Sequence, residues 1–178
     1  MKRILIIGSS GAGKTTLAKE LSRRLDIPHT ELDSIYHQDN WQPLDTETFR
    51  KRVYELSDKD EWIFCGDYFS KLGLDLWHRA DTVIWCDYSF PLVFSRLFRR
   101  TLIRGAYKAP LWNGNRESLY VNFLTKDSLL LWMMKTWNKR KRRYSKLFNE
   151  PENFPDTQLI HLKNPKQTLK FLRSVHSP

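Results

Sequence analysis

Eight consecutive residues, Gly8-Ser9-Ser10-Gly11-Ala12-Gly13-Lys14-Thr15, fit the pattern G-x-x-x-x-G-K-[ST] without deviation. The chemistry is specific to phosphate. Glycines let successive backbone N–H groups turn inward around an anion, and the helix that follows adds its positive N-terminus. Lys14 is placed to reach the β- and γ-phosphates of ATP as a point charge, and the Thr15 hydroxyl to ligate Mg²⁺. Thr16 reads as a helix residue near the phosphates rather than as a second metal ligand.

Such a loop does not say whether the γ-phosphate goes to water or to another molecule. A guanine-specific protein needs an N-K-x-D element, yet the pair Asn138-Lys139 is followed by Arg140 and Lys141. A motor ATPase usually sets Glu after the strand-end Asp to orient water, but Asp67 precedes Tyr68 and Asp87 precedes Tyr88. Both absences favour a kinase.

The elements that must hold the loop are legible around it. Arg3 to Ile7 is a short run rich in β-branched residues, as in a strand buried on both faces. Leu17, Leu21 and Leu25 recur at helical spacing. His29 to Leu32, Trp62 to Cys65, Thr82 to Cys86 and Gln158 to Leu162 read as four further strands. Helices are predicted over Thr46 to Ser57 with Asp45 or Thr46 as cap, over Ser70 to Arg79 and from Pro91 to about Leu102. Two more span Leu119 to Phe148 and, with Asn164 capping and Pro165 in the first turn, Pro165 to Val175. From Arg104 to Asn115 the pattern dissolves into a loop. Strands alternating with helices imply a parallel sheet covered on both sides.

At 178 residues the chain suits one domain, and folding buries roughly 70% of the unfolded surface, so stability requires neither metal nor disulfide. No apolar run approaches the roughly 20 residues that cross a bilayer, and the opening stretch is too short for a signal peptide, so a soluble cytoplasmic protein is the expectation. Cys65 and Cys86 lack CxxC spacing and read as reduced thiols. The five histidines show no metal-ligand spacing. The net charge of +10 is uneven: Arg96 to Lys146 holds 14 Lys and Arg against Glu117 and Asp127, a net of +12, while the remainder holds 16 against 18. Something anionic faces that segment, either phosphates of a small ligand or a nucleic-acid backbone. Trp112, Trp132 and Trp137 lie within it and read first as helix packing, second as base-stacking platforms.

Together these residues resemble the adenylate-kinase-like P-loop proteins, and within them a small bacterial group labelled DNA-topology-modulation or FlaR-like proteins. The resemblance rests on GSSGAGKTTLA, HTELDSIYH with Trp41, EWIFCGDYFS, RADTVIWCDYSFPLVFSRLFRR and LIHLKNP, in order over almost the whole chain. It implies an α/β P-loop three-layer sandwich with a five-stranded parallel sheet in the order 2-3-1-4-5, residues 1–178 as one domain, and a helical lid over about 104–137. By the same resemblance Asp33 is an acceptor-side residue, with a helix N-cap as its other reading, and Tyr68 lies on the acceptor side too. Arg96 and Arg100 hold phosphates at the base of the lid, Arg140 and Arg143 stabilise the transferred phosphoryl group, and the backbone at Lys163 recognises adenine. A contiguous run from Lys139 to Arg143 cannot all point inward, and a solvated helix face is its other reading. The group usually carries Asp-Gly-Asn-Tyr after the third strand, where this chain has Cys65-Gly66-Asp67-Tyr68; Asp67 or Asp87 is then left to orient Mg²⁺. The function implied is Mg²⁺-ATP-dependent phosphoryl transfer to a small acceptor, a nucleotide or nucleoside. A nucleotide-regulated nucleic-acid binder and an ATP-binding regulator with negligible turnover are the rivals.

Overall fold

In the computed structural model, residues 1–107, 110–116, 118, 125 and 128–175 are described. Five strands, β1 (Arg3–Gly8), β2 (His29–Glu31), β3 (Trp62–Cys65), β4 (Thr82–Cys86) and β5 (Gln158–Leu162), form one sheet in the order β2-β3-β1-β4-β5. All pairings are parallel. The order is the one implied by the resemblance, and its reason is visible in the runs themselves. β1, β3 and β4 are buried on both faces, which only the interior of a parallel sheet requires.

Alternation splits the core in two. Ile4, Ile6, Ile63, Cys65, Ile84 and Cys86 share one face with Leu17 and Leu21 of α1 (Lys14–Leu25) and with Leu172 of a C-terminal helix (Pro165–Ser174). Leu5, Ile7, Phe64, Val83 and Trp85 share the other with Phe49 and Val53, and with Tyr144 of a long helix near the C-terminal end. On that second side, in chain order, lie α2 (Leu32–Tyr36), α3 (Thr46–Ser57), α4 (Phe69–Leu72) and α5 (Asp75–Arg79). α6 (Phe90–Tyr107), α7 (Leu129–Asn149), which carries Tyr144, and α8, the C-terminal helix, complete the described helices. Asp45 caps α3, its Oδ1 accepting from the Thr48 N–H at 2.9 Å, and Asn164 caps α8, its Oδ1 accepting from the Gln167 N–H at 3.0 Å.

Four element readings are corrected. Leu32 opens α2 instead of ending a strand. The helix expected over Ser70 to Arg79 is two, α4 and α5, because Gly73 at φ +58 breaks it. α6 runs to Tyr107, straight through Gly105 and past the expected lid boundary at Arg104: burial of Val93, Leu97 and Thr101 outweighs the propensity cost of one glycine. α7 begins at Leu129, its Ser128 Oγ accepting from the Leu131 N–H at 3.3 Å, so the helix expected over Leu119 to Phe148 is not continuous through Ser128; its expected start at Leu119 lies outside the described residues.

Candidate functional site

The carboxyl ends of β1, β2, β3 and β4 converge on the loop between β1 and α1, the edge of an open α/β sheet where ligands bind. The loop fits because two of its glycines leave no room. A Cβ on Gly8 would sit 2.6 Å from the Cys86 carbonyl oxygen, and one on Gly11 2.7 Å from that of Val93. Gly13 is the N-cap of α1 at φ 86, with no side-chain cap and no acidic residue in the first turn. The first N–H groups of α1 therefore face the loop without a competing carboxylate, which is what an anion needs. Lys14 lies back across the loop, its Nζ donating to the Ser9 carbonyl at 3.0 Å.

The cation side holds the main correction. Thr15 Oγ1 donates to Glu31 Oε2 at 2.9 Å, and Cys65 Sγ lies 3.8 Å from the same hydroxyl. Glu31 is the last residue of β2 and the register partner of Cys65. Neither carboxylate named from the sequence is the one at Thr15. Asp67 is turned into the core, 6% exposed, where Tyr144 Oη donates to its Oδ2 at 2.9 Å. Burial raises its pKa against the pull of Arg140, Tyr144 and Arg143. Its Oδ1 has no hydrogen-bond partner, although the Trp77 side chain also favours the charged form. Asp87 Oδ2 accepts from His161 Nε2 at 3.0 Å, with Lys141 Nζ 3.7 Å from its Oδ1, and the His161 ring stacks on Trp85 at 4.2 Å. Both thiols are free and buried on opposite flanks of β1; burial pushes Cys65 up to about 11 and Cys86 to about 12. Thr15, Glu31 and Cys65 fit a divalent cation beside the phosphate loop: a hydroxyl oxygen and a carboxylate oxygen stand 2.9 Å apart there, with a thiol against the hydroxyl.

The residues expected on the acceptor side begin two residues beyond Glu31, with Asp33. Asp33 is not a helix cap, since Glu31 occupies that position of α2. Its Oδ1 accepts instead from Tyr68 Oη at 2.7 Å. Burial, with Asp33 next, raises the Tyr68 pKa, so the phenol remains a donor. Tyr68 holds φ 43, a conformation that costs a bulky residue about 1–3 kcal/mol and persists only where its surroundings impose it. Tyr36 and Phe49 impose it, each with ring centroids 4.9 Å from Tyr68. Across this wall lies the described part of the expected lid. Asn115, 4% exposed, donates from Nδ2 to the Gln38 and Trp112 carbonyls at 2.8 and 2.9 Å and accepts at Oδ1 from the Trp41 N–H at 2.7 Å. Asn113 Nδ2 donates to the His37 carbonyl at 2.5 Å.

The arginines divide. Arg96 extends from α6 to within 3.8 Å of where a Gly13 Cβ would stand, and its guanidinium covers the Tyr88 ring at 5.5 Å. Arg100 lies one turn further along α6, partly exposed. Arg140 lines a cleft with Ser9, Asp87 and Tyr144, and Arg143 covers Phe69 at 4.0 Å. Lys139, Lys141 and Arg142 are exposed, so the basic run is split by helical spacing into two half-buried arginines and three surface cations. Lys163 follows β5 with its backbone N–H already donated to Gln167 Oε1 at 2.7 Å. Glu31, Tyr36, Phe49 and Tyr144 were not singled out from the sequence. Only the parallel register, which sets Glu31 beside Cys65, carries a signal for the first of them.

A family model described as PduV-EutP, ethanolamine utilisation - propanediol utilisation, matches residues 1–54, the stretch around the phosphate loop. A curated relative, the uncharacterized protein YqaC of Bacillus subtilis (strain 168), is 41% identical over 73 residues, covering 36% of this chain and 38% of that protein. Shikimate kinase of Bacteroides fragilis is 31% identical over 114 residues, covering 54% of this chain and 62% of that enzyme. The chain thus matches less than two thirds of the length of either. Among solved structures, the shikimate kinase of Acinetobacter baumannii in complex with shikimate superposes with a TM-score of 0.60 at 13% identity, over 98% of this chain and 90% of that one. The fold is the α/β P-loop fold of those kinases, with an all-parallel sheet in the order 2-3-1-4-5.

Proposed function

We propose that the chain is a P-loop kinase that transfers the γ-phosphoryl group of Mg²⁺-ATP to a hydroxyl group of a small acceptor. One observation carries the reading: two carboxylates two residues apart at the end of β2 face different partners, Glu31 the Thr15 hydroxyl and Asp33 the Tyr68 phenol. Glu31 and Thr15 would hold Mg²⁺, which when bound supplies neutralising charge for the β- and γ-phosphates. Asp33, its Oδ1 fixed by Tyr68, would take the proton of the acceptor hydroxyl as that oxygen attacks. The Lys14 ammonium and the guanidinium groups of Arg96, Arg140 and Arg143 would oppose the charge that develops on the moving phosphoryl group. Catalysis by this set is positioning and electrostatics, without a covalent intermediate.

A carboxylate on the acceptor side repels an incoming phosphate, so of nucleotide and nucleoside acceptors it favours the nucleoside. The aromatic wall of Tyr36, Phe49 and Tyr68 suits any ring-bearing hydroxyl compound, and the similar kinase solved with shikimate holds one of that kind. ADP release measured with ATP and a panel of nucleosides, nucleoside monophosphates, sugars and shikimate tests this. Turnover with a hydroxyl acceptor that Asp33→Asn abolishes is the expected result. Transfer confined to nucleoside monophosphates would refute the hydroxyl assignment, and no transfer to any of them would leave a nucleotide-binding regulator.

A further inference from the structure

Cys65 is 4% exposed and belongs by position to the core of its sheet face, yet its sulfur meets a polar group. Sγ lies 3.8 Å from Thr15 Oγ1, the hydroxyl that donates to Glu31 Oε2 at 2.9 Å. The register fixes the grouping: Glu31 and Cys65 are cross-strand partners at the ends of β2 and β3, and Cys65 is also the partner of Ile6 in β1, two residues before the phosphate loop. A carboxylate and a thiol thus meet the same hydroxyl, Thr15 Oγ1, at the carboxyl edge of the sheet. Cys86 makes the contrast. It is equally buried, on the other flank of β1 opposite Gly8, and no hydroxyl or carboxylate oxygen contact of its sulfur is found among the described residues.

We propose that the cation site beside the phosphate loop is a mixed oxygen–sulfur site. Cys65 Sγ joins Thr15 Oγ1 and Glu31 Oε2, so that thiophilic divalent ions, Cd²⁺ and Zn²⁺, bind through sulfur where Mg²⁺ binds through oxygen alone. The chemistry follows from ligand softness: Mg²⁺ demands oxygen ligands, whereas thiolate selects softer ions. When the sulfur–metal bond forms, the thiol proton passes to solvent, and no oxidant or reductant is involved. Cys65 is then the residue that sets which cations the nucleotide site accepts. The inference rests on the reading of this site as a nucleotide–cation site and specifies its metal selectivity.

The test is a Cd²⁺ titration of the full chain with ADP present, followed by the ultraviolet sulfur-to-cadmium charge-transfer band. Wild type and Cys86→Ser should both develop a band equivalent to one thiolate per chain, and Cys65→Ser should not. Glu31→Gln should keep the band but shift its midpoint upward by roughly 10- to 100-fold, the usual effect of removing one supporting group from a metal site. Cys65→Asp, read by Mg²⁺ binding to the ADP complex, should tighten Mg²⁺ and lose the band, a gain that an unfolded variant cannot give. No band in wild type, or a band lost in Cys86→Ser and kept in Cys65→Ser, overturns the proposal. The outcome is independent of turnover: a Cys65-dependent band without phosphoryl transfer sinks the kinase reading alone, and transfer with Mg²⁺ but no band sinks this one alone.

Discussion

Lys14 and Glu31 are the two charged residues on which the proposed nucleotide–cation site depends. Lys14 Nζ donates to the Ser9 carbonyl of the loop, so its ammonium is available to a phosphate at the cost of one neutral hydrogen bond. A hydrogen bond to a charged group contributes about 1.5–3 kcal/mol, so Lys14→Ala should weaken ATP binding roughly tenfold to a hundredfold and lower turnover with it. An unchanged dissociation constant in an ATP titration would remove the loop from the site. Glu31→Gln keeps the size and the Thr15 hydrogen bond but deletes the charge. It should raise the Mg²⁺ concentration needed for half-maximal turnover roughly 10- to 100-fold, while Asp87→Asn leaves it in place. The opposite ranking would return the metal to Asp87, whose carboxylate is engaged by His161 and Lys141.

At the scale of elements, the docking of α7 onto the sheet passes through the buried pair Tyr144 and Asp67. Burial raises the folded pKa of Asp67 above its unfolded value near 3.8. The folded chain therefore holds a proton that the unfolded chain has lost, and stability from this group is complete below pH 3.8 and declines as pH rises through the folded pKa. Asp67→Asn should flatten that part of the profile, seen as urea midpoints that fall less than those of wild type between acidic and neutral pH. Equal slopes would mean that Asp67 is solvated and free to serve elsewhere. The stretch 110–116 makes a comparable bridge to the turn after α2, through the two hydrogen bonds of Asn115 with Gln38 and Trp41. Asn115→Ala strands the Gln38 carbonyl and the Trp41 N–H, and should raise the KM for the acceptor with little change in that for ATP. A change in the ATP value alone would place the bridge on the donor side.

Over the whole molecule, a segment of net +12 against a remainder of net −2 could serve either a phosphate cleft or a nucleic-acid track. Helical spacing separates the two uses. Arg140 lines the cleft with Ser9 and Arg143 covers Phe69, Lys141 reaches Asp87 at the same cleft, and Lys139 and Arg142 are exposed. Arg140→Ala should therefore reduce turnover strongly, and Lys139→Ala or Arg142→Ala should not. Duplex DNA binding should be weak and lost by physiological salt, because the 16 Lys and Arg outside this segment are outnumbered by 18 Asp and Glu and leave no net positive surface to extend a track. Tight binding in high salt that survives saturating ATP would reverse that assignment.

The sequence by itself determined whatever depends on neighbours along the chain. The phosphate loop, four of the five strand spans and the caps at Asp45 and Asn164 follow from backbone conformation, β-branching and local hydrogen bonds, which act within a few residues. The strand order is the one that the resemblance implied, and the doubly buried runs show only which strands lie inside the sheet. What only the tertiary structure decided is which carboxylate stands where. Glu31 is the last residue of β2 and Asp67 lies two residues past β3, and nothing in that spacing alone says which carboxylate meets Thr15. Parallel register sets Glu31 beside Cys65 and brings its carboxylate to Thr15, while the left-handed turn at Tyr68, held by Tyr36 and Phe49, accompanies an Asp67 turned under Tyr144. Contacts separated by tens of residues are fixed by how faces pack, and packing set one carboxylate against the Thr15 hydroxyl and buried the other.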